Sequence, residues 1–481
     1  MNKKIITLAV VAVAVVAMGV ALFALNRMPA DSGFIEQSAV EERALDYVTG
    51  GPEGIRPEKI VVENDKGGYV INIENADAER KLDVKYFIQG IEDFEPQRAL
   101  LIGVADYCEK IAATSIVADK ADNLSIYGLA APRATVAIDY VDGSKATFIV
   151  GDNAPGDNVA YVKRLDRDTV YAVQVSIIER FLTKPADFFG KTVSYGDPQN
   201  TMILRALLGG TMRDREIEII DIEKTPDDVS DYVLSTHEII KPINTGINSG
   251  RGLAALHSSF GITAEEVVDV AISDEILEKY DLLEPYSTIL IVPQDPDAET
   301  FSLSSTAPDK DGYVLMLKDR LIYKVNADGL TWINIQLHDL IMPNVILPYL
   351  DAVSEIIIAS PEKTTTFTVE GKENEIRIFS DGLGMDNDSF RQYYQTLISA
   401  EYAEPADVEL TEKTEPLLSI TYKYKSGAPQ DTVYFYASNA PRKVYVSKDD
   451  EPVIYYTSTG YFDRVVLDLE KIIAGEPVKA I

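Results

Sequence analysis

Apolar residues fill every position from Ile5 to Leu25 except Thr7 and Gly19, directly after Lys3 and Lys4. Those 21 residues, at about 1.5 Å per residue, make a helix of roughly 31 Å, the thickness of a bilayer's hydrocarbon core. The pattern predicts a transmembrane anchor over 1–28. A cleaved signal peptide has a shorter apolar region, about 7–15 residues, ending at a small-x-small site. Cutting after Ala24 puts Leu22 at the −3 position, and cutting after Ala30 puts Met28 there. No cysteine follows the apolar run to carry a lipid. The two lysines set the N-terminus on the cytoplasmic side, with Arg27 a weak counterweight. No second apolar run of that length follows, so the rest of the chain is expected outside the cytoplasm. Residues 29–57 read as a tether broken by Pro29, Gly50, Gly51, Pro52, Gly54 and Pro57. Within it, Phe34-Ile35 and Val40 to Val48 suggest a short amphipathic helix that serves packing or spacing.

Beyond the tether the apolar pattern repeats. Leu124, Tyr127, Leu129 and Pro132 spell L-x-x-Y-x-L-x-x-P, and Leu277, Tyr280, Leu282 and Pro285 spell it again 153 residues on. Tyr161-Val162 and Val170-Tyr171 form a second pattern, which recurs at Tyr313-Val314 and Ile322-Tyr323, offset by 152. It recurs once more at Tyr445-Val446 and Ile454-Tyr455, offset by 284, and that offset also carries Pro132 onto Pro416 and Gly143 onto Gly427. Several separated landmarks sharing one offset mark an internal repeat. Three modules are expected, at 58–196, 197–345 and 346–481, the third the most degenerate.

Each module reads as a helix followed by strands. Leu100, Leu101, Val104, Cys108 and Ile111 fall on one helical face, as do Phe390, Tyr393, Tyr394, Leu397 and Ile398, with Asn387 or Asp388 as N-cap. In the middle module Leu253, Leu256 and Phe260 predict a shorter helix. Thr263 and Glu266 then form a capping box before Val267, Val270 and Ala271. After each proline come runs rich in β-branched and aromatic residues, 134–140, 288–292 and 418–424. Asp142-Gly143 and Ser426-Gly427 read as hairpin turns into 147–150 and 432–435, and Asp166-Arg-Asp168 as the turn of the tyrosine hairpin. The expected fold class is α+β: a transmembrane helix, then three modules, each a helix packed on an antiparallel β meander.

Composition adds location and excludes partners. Acidic residues outnumber basic ones 77 to 45, a formal net charge of −32. Residues 1–30 hold three basic and no acidic side chains, leaving 42 against 77, or −35, for the remainder. So negative a surface repels phosphate backbones and argues against nucleic acid as a partner. The single cysteine, Cys108, closes no intramolecular disulfide and builds no cysteine metal cluster, and three histidines, His237, His257 and His338, leave little for a histidine site. Cys108, on an apolar helix face, reads as buried and inert.

Tyr127-Gly-Leu-Ala-Ala-Pro132, Asp142-Gly143, Ile149-Val-Gly-Asp152 with Pro155, Tyr161-Val162 and Val170-Tyr171 resemble the bacterial family catalogued as domain of unknown function 4340. The resemblance is clearest over roughly 60–195 and continues weakly beyond. It implies a single-anchor bacterial membrane protein of the kind encoded near export-type or gliding-associated ABC transporter components. The family carries no assigned catalytic residues, so none transfer. The second copy lacks the glycine turn and the third lacks Tyr-Gly-Leu.

Motifs of chemistry resolve into turns. Gly190-Lys191-Thr192 imitates the end of a phosphate-binding loop, but Pro185 stands where its first glycine belongs. Gly382-Leu-Gly384 opens like a dinucleotide fingerprint, with Asn387 in place of the third glycine. Ser360-Pro-Glu-Lys363 has a nucleophile-and-lysine spacing but lies between two strand-like runs. Asp309, Asp311 and Gly312, and Asp386, Asn387 and Asp388, lack the ligand spacing of a calcium loop. The sequence therefore nominates no catalytic, cofactor-binding or metal residues. The expected function is a non-catalytic, membrane-tethered extracytoplasmic protein, an accessory or scaffold of an ABC-type transporter complex. Two alternatives stand beside it. One is a cell-envelope protein binding glycan or peptide through some of its 26 tyrosines; the other is a hydrolase using carboxylates.

Overall fold

A computed structural model describes residues 46–479, apart from 93–95, 157, 223–234, 249, 272, 373–374 and 407–413. The expected anchor, and most of the expected tether, lie outside the described residues. Among the described residues no helix is long and apolar enough to cross a membrane. The chain divides into two compact units, one of residues up to Pro57 with Ala105–Arg180, the other of Glu58–Val104 with Phe181–Ile481. It is a mixed α and β protein of large antiparallel sheets and few helices.

In the first unit, antiparallel strands follow one another in the order Ala134–Tyr140, Lys145–Asn153, Val159–Arg164, Val170–Gln174, with Ser115–Ala118 at the edge. Strict alternation buries Ala134, Val136, Ile138 and Tyr140 on one face. The Tyr140 hydroxyl donates to the Cys108 carbonyl at 3.1 Å. Cys108 is fully buried, and desolvation pushes its thiol far above the ordinary range.

The second unit holds a meander, Pro57–Asn64, Tyr69–Glu74 and Lys85–Ile88, and two nine-stranded sheets. One sheet runs, edge to edge, Thr245–Gly246, His237–Lys241, Ile217–Asp221, Ile203–Gly209, Ser287–Pro293, Phe301–Ser305, Tyr313–Lys318, Leu321–Asn326, Glu266–Val270. The other runs Leu383–Gly384, Arg377–Ser380, Thr364–Glu370, Val353–Ala359, Leu418–Tyr424, Asp431–Tyr436, Lys443–Lys448, Tyr455–Ser458, Glu404–Pro405. The two orders are identical. In each, four strands form a meander outward from the centre and a helix follows. An edge strand is then laid down, and four more strands walk from the centre out to meet it. The repeated sequence patterns mark this later half, and of the earlier half only the two strands flanking Ser360 and Lys363 are expected from the sequence.

The final sheet shows what holds a helix there. Asp386 caps Asn387–Ile398 by accepting from the Ser389 amide at 2.9 Å, one residue before the expected cap. Phe390, Tyr393, Tyr394 and Leu397 are buried as their spacing requires. Phe390 meets Phe367 edge-on at 4.9 Å, and Tyr394 meets Tyr422 at 6.4 Å. A second helix, Thr459–Ala474, lies outside the sequence expectations. Ser458 caps its start, accepting from the Tyr461 amide at 3.1 Å, and left-handed Gly475 closes its end. Asp468, fully buried, is held by Arg464 and Lys471 of the same helix.

Two local expectations are corrected. Thr263 and Glu266 start no helix: Glu266–Val270 is a strand paired with Leu321–Lys324, as a β-branched run prefers. Val40 to Val48 is not one helix either, because Tyr47–Thr49 pairs with Ile111–Ala112 as strand.

Candidate functional site

The residues that carry the family resemblance converge on one cluster in the first unit. Leu124–Tyr127 make a single 3-10 turn, and Asn123 caps it by accepting from the Ser125 amide. Gly128, at φ 67°, turns the chain back so that the Leu129 amide reaches the Leu124 carbonyl at 3.0 Å. The pattern L-x-x-Y-x-L therefore encodes a helical turn with a left-handed closure. The second copy closes in the same way: Asp281, at φ 56°, lets the Leu282 amide reach the Leu277 carbonyl at 2.8 Å.

Two glycines let that turn lie on a strand. A Cβ on Gly128 would stand 2.4 Å from the Asp152 carboxyl carbon, and one on Gly151 would stand 2.0 Å from the Tyr127 carbonyl oxygen. Leu129, Ile149 and Val170 form the buried centre, with Tyr127 and Tyr161 against it. The two tyrosine rings meet edge-on at 5.0 Å. Arg133 fastens the rim, donating to the Gly151 carbonyl at 2.7 Å and to Asn153 Oδ1 at 2.8 Å. Asp152 is exposed beside the turn. This arrangement clamps a loop to a sheet.

The tyrosine hairpin is also built three times. Tyr171 lies opposite Val162, and Tyr455 opposite Val446, in the same register. In the middle copy Tyr323 lies opposite Met316 instead. The reason is a tighter turn: Lys318 pairs with Leu321, so only Asp319-Arg320 connect the strands, with Asp319 at φ 56°. The slip is two residues, which preserves every side chain's face. Tyr171, Tyr323 and Tyr455 are buried in all three, and each sits opposite the edge strand, at Ile116, Val267 and Pro405 respectively.

The sequence's chemical candidates all sit in connections or in packing. Ser360 and Lys363 close the hairpin between Val353–Ala359 and Thr364–Glu370, the Ser360 amide donating to the Lys363 carbonyl at 2.8 Å. Gly382, next to Asp381 at φ 50°, turns Arg377–Ser380 into Leu383–Gly384. The Asp309 carboxylate accepts from the Tyr313 and Asp311 amides, each at 2.9 Å, and these bonds hold it below the usual carboxylate range. Asp386 is lowered by the Ser389 amide it caps. Lys191 and Thr192 pair as backbone with residues 263–264. His237 is buried, its Nε2 donating to the Ile203 carbonyl at 2.8 Å with Nδ1 facing the Thr236 hydroxyl at 2.9 Å. Burial, then the neighbouring His237 charge, lowers His257. The His338 ring lies 5.9 Å from that of Tyr455.

Two of the clefts in the second unit combine aromatic and charged walls, and no sequence pattern joins the residues of either into a site. One, of about 710 Å³, has Phe260 and Phe301 packed edge-on at 5.5 Å in its wall, with Tyr195, Met202, Asp295 and Glu299 among its lining. The other, of about 640 Å³, is lined by Arg213, Arg215, Gln336, His338 and Tyr455 among others. Arg213 is itself buried. Its guanidinium donates to the carbonyls of Gly209, Trp332 and Ile335 and to the Ser287 hydroxyl, at 2.6 to 3.1 Å, and desolvation lowers it to about 10. Those bonds commit the side chain to holding loops together. On the final sheet Tyr436, Tyr445 and Tyr456 align across three strands, the last two stacked at 4.8 Å.

Fold and motif cluster thus describe a mixed α and β protein of large antiparallel sheets in which the motif residues clamp a turn to a strand. Residues 97–269 match the family described as Domain of unknown function (DUF4340), and the chain resembles that family over this span. The match begins later than the sequence motifs suggested and runs on into the second edge strand. No curated protein and no solved structure matches the chain.

Proposed function

We propose that the chain is a non-catalytic extracytoplasmic protein, tethered to the membrane by residues 1–28 and made of three repeats of one module at 58–196, 197–345 and 346–481. We further propose that it serves an ABC-type transporter complex as accessory or scaffold subunit. One observation carries the contact reading. The segment leading into a sheet is laid against an edge by the same pair of backbone bonds at two places. The Val193 amide donates to the Ile262 carbonyl and the Ala264 amide to the Lys191 carbonyl, at 2.9 and 2.8 Å; Val345 to Ala400 and Tyr402 to Pro343 repeat them at 2.8 and 2.7 Å. A module whose recurring geometry serves to dock its neighbour is suited to docking other chains as well.

A crosslinking pull-down from native membranes tests the reading. The expected result is capture of membrane-embedded transporter subunits. A folded point variant that keeps its partners yet loses all function would overturn it in favour of an enzyme. The second reading, envelope glycan or peptide binding, draws on the tyrosine row and the aromatic-walled cleft. Capture of envelope polymer without transporter subunits would favour it.

A further inference from the structure

The middle sheet is open at a place where the other two are plugged. The Val141, Gln294 and Lys425 amides donate to the carbonyls of Arg56, Met202 and Ala352, at 3.1, 2.9 and 2.9 Å. In the second and third sheets the residue before that amide, Pro293 or Tyr424, lies opposite the first residue of the central strand, Ile203 or Val353, and in both the register shifts at the next step. Tyr140, Pro293 and Tyr424 are therefore counterparts. Tyr140 and Tyr424 are both buried. Their hydroxyls donate, one to the Cys108 carbonyl at 3.1 Å and the other to the Asp431 carboxylate. The middle sheet has no ring at this position. It has no such acceptor either, since Phe301 stands opposite Ile291 as Asp431 stands opposite Tyr422.

What remains there is the cleft of about 710 Å³, within the roughly 300–1,000 Å³ range of ligand sites. Pro293, Phe260 and Phe301 in its wall are buried, whereas Tyr195 and Met202, which also line it, are 71% and 62% exposed. Asp295 and Glu299 line it too, with Asp297 exposed between them in the chain. Lys318 neutralises Glu299 at 3.0 Å, and among the described residues no cation meets Asp295 or Asp297. A second copy of a chain with a formal charge of −32 is repelled from such a rim, and a basic partner is drawn to it. We propose that this cleft receives an aromatic side chain of a partner polypeptide, flanked in that partner by lysine or arginine. The ring fills from outside the place that Tyr140 and Tyr424 fill within their own sheets, and the basic flanks meet Asp295 and Asp297. The inference rests on the contact reading above and names one face for it.

The test uses the full chain in detergent and two fluorescein-labelled peptides of equal charge, Lys-Lys-Phe-Lys-Lys and Lys-Lys-Ala-Lys-Lys. Anisotropy titrations should show the phenylalanine peptide binding at least about tenfold tighter, a modest value for a buried aromatic anchor. Pro293→Tyr, which gives the middle sheet the residue of the other two, should abolish that preference and leave both peptides with the same charge-driven affinity. Tyr195→Ala/Met202→Ala, a change at two exposed positions, should cut the preference several-fold and decides the matter where Pro293→Tyr does not fold. Equal affinity of the two peptides for the parent overturns the proposal, as does a preference that survives either variant in folded form. Binding of neutral cell-wall glycan fragments that Pro293→Tyr removes, without any preference between the peptides, assigns the cleft to a glycan and also overturns it. Capture of transporter subunits from membranes is a separate measurement, so failure of this face and failure of the contact reading are told apart.

Discussion

Gly128 and Asp281 occupy the same left-handed corner of the same turn, and they define opposite experiments. Any side chain at 128 meets both an unfavourable φ and the Asp152 carboxyl 2.4 Å away. Gly128→Ala should therefore cost more than the roughly 1–2 kcal/mol of the backbone strain alone. Asp281→Gly relieves that strain and should leave stability unchanged or raise it by up to about 1 kcal/mol, less the entropy glycine adds to the unfolded chain. Urea midpoints of the two variants check both signs. The tyrosines divide in a similar way. Tyr171, Tyr323 and Tyr455 are buried, so truncation to alanine should cost on the order of 3 kcal/mol each. Tyr313 sits at the surface, its hydroxyl on Glu265 and Lys324 over its ring, and should tolerate alanine with little change. His257 supplies a pH dependence. Burial and the His237 charge depress its folded-state pKa below 6.5, so the unfolded chain takes up the proton first as pH falls. Its contribution is complete above about pH 6.5 and is lost progressively below it. Midpoints at pH 7.5 and 5.5 should fall further in the parent than in His257→Gln.

At the scale of elements, what the sequence disclosed depended on how local the determinant was. Helix 387–398 was legible because Phe390, Tyr393, Tyr394 and Leu397 share a 3.6-residue period, and hairpin turns were legible because Asp142-Gly143 and Ser426-Gly427 name their own backbone conformation. The strand at 266–270 was misread because Thr263 and Glu266 match a capping box, while the deciding interaction is a ladder to residues more than fifty positions away. Of the outward meanders the sequence announces the two strands flanking Ser360 and Lys363, while Ile60 and Val62, or Ile217 and Ile219, alternate clearly enough to announce others and carry no such expectation. The C-terminal helix also left signals: Ser458 before it, Gly475 after it, and Val465, Asp468 and Ile472 at helical spacing within. Asp468, a charged residue in the apolar stripe, masked the pattern. Ser458→Ala should cost about 1 kcal/mol, the usual worth of such a cap, and should fray the helix start by hydrogen exchange. The motif cluster was legible as residues but not as a site, since nothing in L-x-x-Y-x-L reveals that its turn will lie on Gly151. The two clefts left no local trace, because their walls come from segments about a hundred residues apart.

At the scale of the whole molecule the dominant quantity is charge, a formal −32 that falls almost wholly outside the apolar N-terminal run. If the protein works by contact, its partner must present lysine and arginine around the docking face, because long-range repulsion would otherwise slow encounter. Screening acts within about 8–10 Å at physiological salt, so raising salt should weaken association chiefly through the on-rate, with the off-rate moving less. Surface plasmon resonance of the captured complex across a salt series measures both. An affinity independent of salt would exclude a charge-guided interface and move attention to the apolar edge at Ile116 and Val117. The same reading requires that function be spread over surfaces instead of concentrated in one side chain. Ser360 and Lys363 bond each other in a turn, Asp152 is exposed beside the motif cluster, and His338 packs on a ring. Single substitutions at these four positions should leave a cellular phenotype intact in variants that fold, whereas removing residues 1–28 or the whole of 346–481 should abolish it. Complementation of a deletion strain, with folding of each variant verified by thermal melting, decides the matter. Loss of function in a folded Ser360→Ala or Asp152→Asn variant would mean that the residue touches a substrate.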